Sequence, residues 1–240
     1  MRAGAQNVAE GLSIMKSKWL LDLAKAGIVI LSIFALSGCT SSSTSNSDVL
    51  DVSTSSKKRK GEVYLFRGLA NVFSLGMDTI GEKMVARGLN AKVYNHSAWR
   101  TIADDIIARS KIRRVNYPVI IMGHSLGGNA TMQMSKYLGD NGVKVSYSVS
   151  FDPTITTYVG PNIGEVINYY LPNSDHTNIV KQAAGFTGSL QNLDVSTIEG
   201  VTHVTVEKND RFQARVINTT LGLTKVIHPR VGIVEDYDQR

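Results

Sequence analysis

Ser125 stands in Gly123-His124-Ser125-Leu126-Gly127, after the apolar run 119–122 and before small residues at helical spacing. A serine hydroxyl is a poor nucleophile until a base takes its proton. A sharp strand-to-helix turn lifts such a serine clear of a sheet by placing it in an unfavourable backbone conformation. Bulky neighbours two residues away would collide in that turn, and Gly123 and Gly127 occupy those positions. The helix that follows points free N–H groups at the reacting centre, so the Leu126 amide is expected to be one oxyanion donor. The chemistry these residue types allow is acyl transfer through a serine.

With Gly128 added, the motif resembles the elbow of α/β-hydrolases, in particular small lipase-like and thioesterase-like members. The resemblance covers residues 61–224, is specific at the elbow, and is looser elsewhere. It implies an α/β fold with a mostly parallel central sheet flanked by helices. It also implies a catalytic triad in chain order Ser, Asp, His.

Five histidines compete for the base. The resemblance places it just before the final helix, which selects His203, with His176 next. His124 lies inside the elbow, where similar elbows use it structurally. His96 comes too early in the family's order, and His228 lies beyond the last helix. For the acid, Asp152 closes the expected strand 144–151 at its C-terminal end, the edge where sites of parallel sheets assemble. Relatives that carry the acid one strand later make Asp175 the alternative, and Asp194 is a third option. The second oxyanion donor belongs to the loop after the first strand, where the Leu69 amide is the choice. Many relatives have His-Gly there and this chain has Arg67-Gly68. Arg67 has two readings, a structural one and contact with an acidic substrate group.

The elements that position these residues alternate along the chain, the pattern of a parallel sheet with crossover helices. Strands are expected at 62–66, 91–94, 118–122, 144–151, 166–171 and 201–206. Helices are expected at 74–88, 97–115, after the elbow, and at 209–221. Ser74 is a cap candidate for the first helix, and Asn209 or Asp210 for the last. Met77, Ile80, Met84 and Val85 form one expected buried face, and Ala130, Met134, Tyr137 and Leu138 another. No stretch is long enough for a large inserted lid. The connection 172–200 is expected to be irregular and to form part of a substrate rim.

Residues 1–38 read as a signal region. Lys16 and Lys18 precede an apolar run, 26–36, too short to span a bilayer comfortably and right for a signal h-region. Met15 is the expected start. Leu36-Ser37-Gly38-Cys39 resembles a bacterial lipobox, which implies lipid attachment to Cys39, the single cysteine. Residues 39–60 then form a Ser/Thr-rich tether ending in Lys57-Lys58-Arg59-Lys60, read as a solvated hinge. The hydrolase domain is 61–224, and 225–240 is a tail.

The net charge is +6 over 240 residues, and +4 of it lies in residues 1–60. The domain is therefore not basic enough for a nucleic-acid footprint. No histidine or carboxylate cluster has metal-ligand spacing, so neither metal nor cofactor is expected. The expected activity is hydrolysis of a carboxylic ester or thioester. The alternatives are acyl transfer on the same triad and a non-catalytic envelope lipoprotein that uses the fold for binding. The expected partners are an acyl substrate and, through Cys39, a membrane. The residue after Cys39, Thr40, is not the aspartate of inner-membrane retention, which fits an outer-membrane lipoprotein facing the periplasm. Oligomeric state is left open.

Overall fold

Two strands, β1 (Glu62–Arg67) and β3 (Val119–His124), are buried along nearly their whole length. Strands of that kind must be covered on both faces, and parallel sheets with crossover helices supply the cover. The computed structural model describes residues 58–69, 74–172 and 178–226. The chain divides into two units, Met1–Val52 and Ser53–Arg240, and the described residues belong to the second. Cys39, the apolar run 26–36, Asp175, His176 and His228 lie outside them.

The remaining strands are β2 (Ala91–Asn95), β4 (Val145–Phe151), β5 (Thr157–Val159), β6 (Ile163–Tyr170), β7 (Val180–Gln182) and β8 (Ser189–Asp194). Six of the eight form one sheet in the order β2-β1-β3-β4-β6-β8. Every neighbouring pair in it is parallel. β5 and β7 make a separate two-stranded parallel sheet.

Among the described residues, four helices cover the main sheet: α1 (Leu75–Val85), α2 (Trp99–Lys111), α3 (Leu126–Asp140) and α4 (Asp210–Leu223). Successive strand residues point to opposite faces. Val63, Leu65, Ile120 and Met122 therefore pack with Met77, Ile80 and Met84 of α1 and with Val216 and Ile217 of α4. Tyr64, Phe66, Val119 and Ile121 pack with Ile106 of α2 and with Met134 and Leu138 of α3. The register between β3 and β4 slips by one residue, so Val119 lies beside Val145 but Ile120 beside Tyr147. That slip sends Val145 to the α2–α3 layer and Tyr147 to the α1–α4 layer.

Several expectations need correction. Val85 is exposed, because α1 completes its buried stripe at Met84. α2 ends at Lys111 rather than 115: its buried stripe ends at Ile107, and Arg113 turns the chain with φ 56°. No strand forms over 201–206. There the Thr205 hydroxyl accepts from the Thr202 amide at 2.8 Å and donates to the Gly200 carbonyl at 2.8 Å. Local bonds of this kind compete with a strand ladder. The sixth strand of the sheet is β8, inside the connection expected to be irregular, and β7 lies there too.

Asn209 caps α4, its side chain accepting from the amides of Arg211 and Phe212. Arg59 is more than a solvated hinge residue: its guanidinium donates to the carbonyls of Leu221 and Thr224 at the end of α4. Among the described residues, no helix is long and apolar enough to cross a membrane.

Candidate active site

The turn between β3 and α3 puts Ser125 at φ 58° and ψ −121°, a conformation L-residues rarely adopt. Strain of this kind costs on the order of 1–3 kcal/mol and persists only where the surroundings hold it. Two glycines permit the close approach. A Cβ at Gly123 would lie 2.2 Å from the Gly127 carbonyl oxygen, and one at Gly127 would lie 2.2 Å from that of Phe66. The Ser125 amide donates to the Phe151 carbonyl at 2.9 Å, which ties the turn to the end of β4.

Asp152 follows β4 at φ 47° and is 5% exposed. Its Oδ1 accepts from the Leu171 amide at 3.0 Å and from the Asn178 side-chain amide at 2.9 Å. Its Oδ2 lies 2.6 Å from His203 Nδ1. His203 Nε2 lies 3.0 Å from Ser125 Oγ. A carboxylate only accepts, so Nδ1 carries the ring proton of the neutral imidazole and the bare Nε2 faces the serine hydroxyl. The three side chains thus meet in the order Ser125, His203, Asp152, although His203 sits in a turn and not beside a strand. The arrangement can pass a proton from the hydroxyl to the imidazole and stabilise the resulting cation.

The loop after β1 packs against the elbow: a Cβ at Gly68 would lie 3.0 Å from Ser125 Cβ. The Gly68 amide donates to Ser74 Oγ at 2.8 Å, and Leu69 follows it as an exposed residue. Leu126 opens α3 and has no carbonyl a turn earlier to bond. Arg67 takes the structural reading, since its guanidinium pairs with both carboxyl oxygens of Asp78. Asp194, at the end of β8, is exposed and accepts from the amide and hydroxyl of Ser196.

Sequence reasoning missed three residues beside this centre. Asn178 donates to the Asp152 carboxylate, and an isolated asparagine in a loop gives no signal of that. Ser74 makes no capping bond; its hydroxyl lies between Gly68 and His124. Glu207 is wholly buried beside His124, with 3.7 Å between Oε2 and Nε2. Among the described residues, no group of three metal-ligating side chains comes together.

The parallel six-stranded sheet, the helices on both faces and the strained serine at the β3–α3 turn define an α/β-hydrolase fold. No protein-family model and no curated protein sequence matches the chain. Solved structures resemble it distantly. A thioesterase domain, NocB from the nocardicin cluster, is 11% identical, with a TM-score of 0.40 over 69% of this chain and 95% of that one. An acetylxylan esterase is 12% identical, with a TM-score of 0.41 over 69% of this chain and 99% of that one.

Proposed function

We propose that the protein is a serine hydrolase of carboxylic esters or thioesters, acting through an acyl-enzyme on Ser125. The observation that carries this reading is the pair of contacts at His203, 3.0 Å to Ser125 Oγ and 2.6 Å to Asp152 Oδ2. In the proposed reaction Ser125 Oγ attacks the acyl carbonyl while His203 Nε2 takes its proton. Asp152 holds the imidazole in the productive tautomer and stabilises the imidazolium. The Leu126 and Leu69 amides receive the oxyanion. His203 then protonates the leaving alcohol or thiol, and water, deprotonated by the same nitrogen, releases the acid.

The His203 side chain is 45% exposed, which favours water as the acceptor. Leu69, Ile155 and Val204 are exposed apolar residues one to three positions beyond Gly68, Asp152 and His203. They favour an acyl group with an apolar chain. In the same proposal, Cys39 carries lipid and holds the domain at a bacterial envelope membrane, facing the periplasm.

The test is a rate profile over p-nitrophenyl esters and acyl-CoA thioesters of several chain lengths, with Ser125→Ala as control. Turnover that the control abolishes is expected. Equal turnover in Ser125→Ala, or none with any acyl group, rejects the reading.

A further inference from the structure

His124 precedes the nucleophile candidate yet belongs to no step of the reaction above. It is 1% exposed, and its ring lies 5.0 Å from that of His203. Burial, with repulsion from His203, pushes its imidazole down to about 4, so the ring is neutral at neutral pH. A neutral imidazole carries one N–H. His124 Nε2 lies 2.6 Å from the His203 carbonyl oxygen, which only accepts, so the proton is on Nε2. Nδ1 is therefore bare and accepts from the Ser74 hydroxyl at 2.8 Å. Ser74 Oγ accepts in turn from the Gly68 amide. Every direction in the chain is fixed: Gly68 N–H to Ser74 O–H to His124 Nδ1, and His124 Nε2–H to the His203 carbonyl.

We propose that His124 is a positioning residue for the hydrolase reaction: it ties the loop that offers the Leu69 amide to the loop that carries His203, with Ser74 as its link and Glu207 as its buried neighbour. This rests on the serine-hydrolase reading. The two loops flank Ser125 and are far apart in sequence, and a single imidazole bonds both. On one side it engages the Gly68 amide, next to Leu69, through Ser74. On the other it fixes the backbone of His203, whose ring must reach Ser125 and Asp152 together.

Glu207 is 0% exposed, and neither carboxyl oxygen meets a donor at hydrogen-bond geometry among the described residues. The Lys208 ammonium lies 3.9 Å from Oε1 and His124 Nε2 3.7 Å from Oε2. A Cβ at Gly76 would lie 2.6 Å from Glu207 Cγ, so α1 packs directly on this side chain. This tightly buried carboxyl lies against the Nε2 side of the His124 ring. The single proton there has the His203 carbonyl as its acceptor.

The test compares Ser74→Ala, His124→Phe, His124→Gln and the Ser74→Ala/His124→Phe double variant. Each kcat is divided by the fraction of sites that a fluorophosphonate titrates. Ser74→Ala is expected to lower kcat about tenfold and His124→Phe further, with KM little changed, because the lost order bears on the oxyanion and the base. The double variant should be no worse than His124→Phe, since both cut one chain of bonds. His124→Gln, whose side-chain amide can donate to the His203 carbonyl, should recover part of the loss.

A purely structural His124 would lower stability and leave kcat per titrated site unchanged. That result, in Ser74→Ala or in any folded His124 variant, overturns the proposal. If His124→Phe does not fold, Ser74→Ala alone decides the matter. A wild type that neither titrates nor turns over overturns the hydrolase reading and this role with it. A wild type that turns over, beside a Ser74→Ala variant with undiminished kcat, overturns the positioning role alone.

Discussion

Asp152 faces His203 with one carboxyl oxygen, Oδ2 to Nδ1 at 2.6 Å, and anchors the other on the Leu171 amide and the Asn178 side chain. The Asp152 carboxylate is therefore held by two donors on one oxygen while the other is aimed at the imidazole. Asp152→Asn should keep much of this anchoring but permit the wrong imidazole tautomer, with the proton on Nε2. The expected loss in kcat/KM is about 10³–10⁴-fold, with a melting temperature close to wild type. Asp175→Asn should leave kcat/KM within about twofold. Steady-state kinetics on one ester substrate separates the two acids, and the opposite ranking would assign the role to Asp175.

Gly127→Ala should damage the fold before it touches the chemistry. The added Cβ meets the backbone of β1 at Phe66, not a flexible side chain, so the elbow or the strand must move. The expected cost is about 3 kcal/mol, read as a lower midpoint in urea with the slope unchanged. Gly142→Ala is a useful contrast. Its Cβ would meet nothing within 4 Å, so what remains there is the cost of a φ of 78°.

Glu207 and His124 should pull stability in opposite directions with pH. Burial pushes the Glu207 carboxyl up to about 7 from an ordinary 4.5, so the folded state holds its proton longer than the unfolded one. Its contribution is lost as pH rises from about 4.5 to about 7. Burial pushes His124 down to about 4 from 6.5, so its contribution is lost as pH falls through that interval. Between pH 4.5 and 6.5 the two slopes oppose each other, and the pair contributes little net slope to the wild type. Glu207→Gln removes one slope, and that variant should lose about 2 kcal/mol, relative to wild type, on acidification across this window. His124→Phe should show the reverse trend. Urea denaturation at a series of pH values checks both, and parallel profiles for the two variants would contradict the pairing.

The elbow was legible in the sequence because sterics leave little choice there: only glycine fits at 123 and 127, and their spacing around Ser125 survives any change in the rest of the domain. The near-continuous apolar runs of β1 and β3 were legible because each must feed two helix layers. β8 was not. Its run Ser189–Asp194 is half exposed and polar, and it joins the sheet edge where Asn168 and Asn192 bond to each other at 2.9 Å. Val201 and Val204, set among threonines, resembled a strand until the threonine hydroxyls took the backbone groups a ladder would need. The support around the three meeting side chains was illegible for a different reason. Asn178, Ser74 and Glu207 are ordinary residues whose roles arise only from what the fold brings beside them.

The most direct test of the account is covalent labelling of the purified protein with a fluorophosphonate, followed by mass mapping of the modified peptide. One adduct per chain is expected, on Ser125, absent in Ser125→Ala and slowed about 10³-fold or more in His203→Ala. An unlabelled wild type, or an adduct that persists in Ser125→Ala, would contradict it.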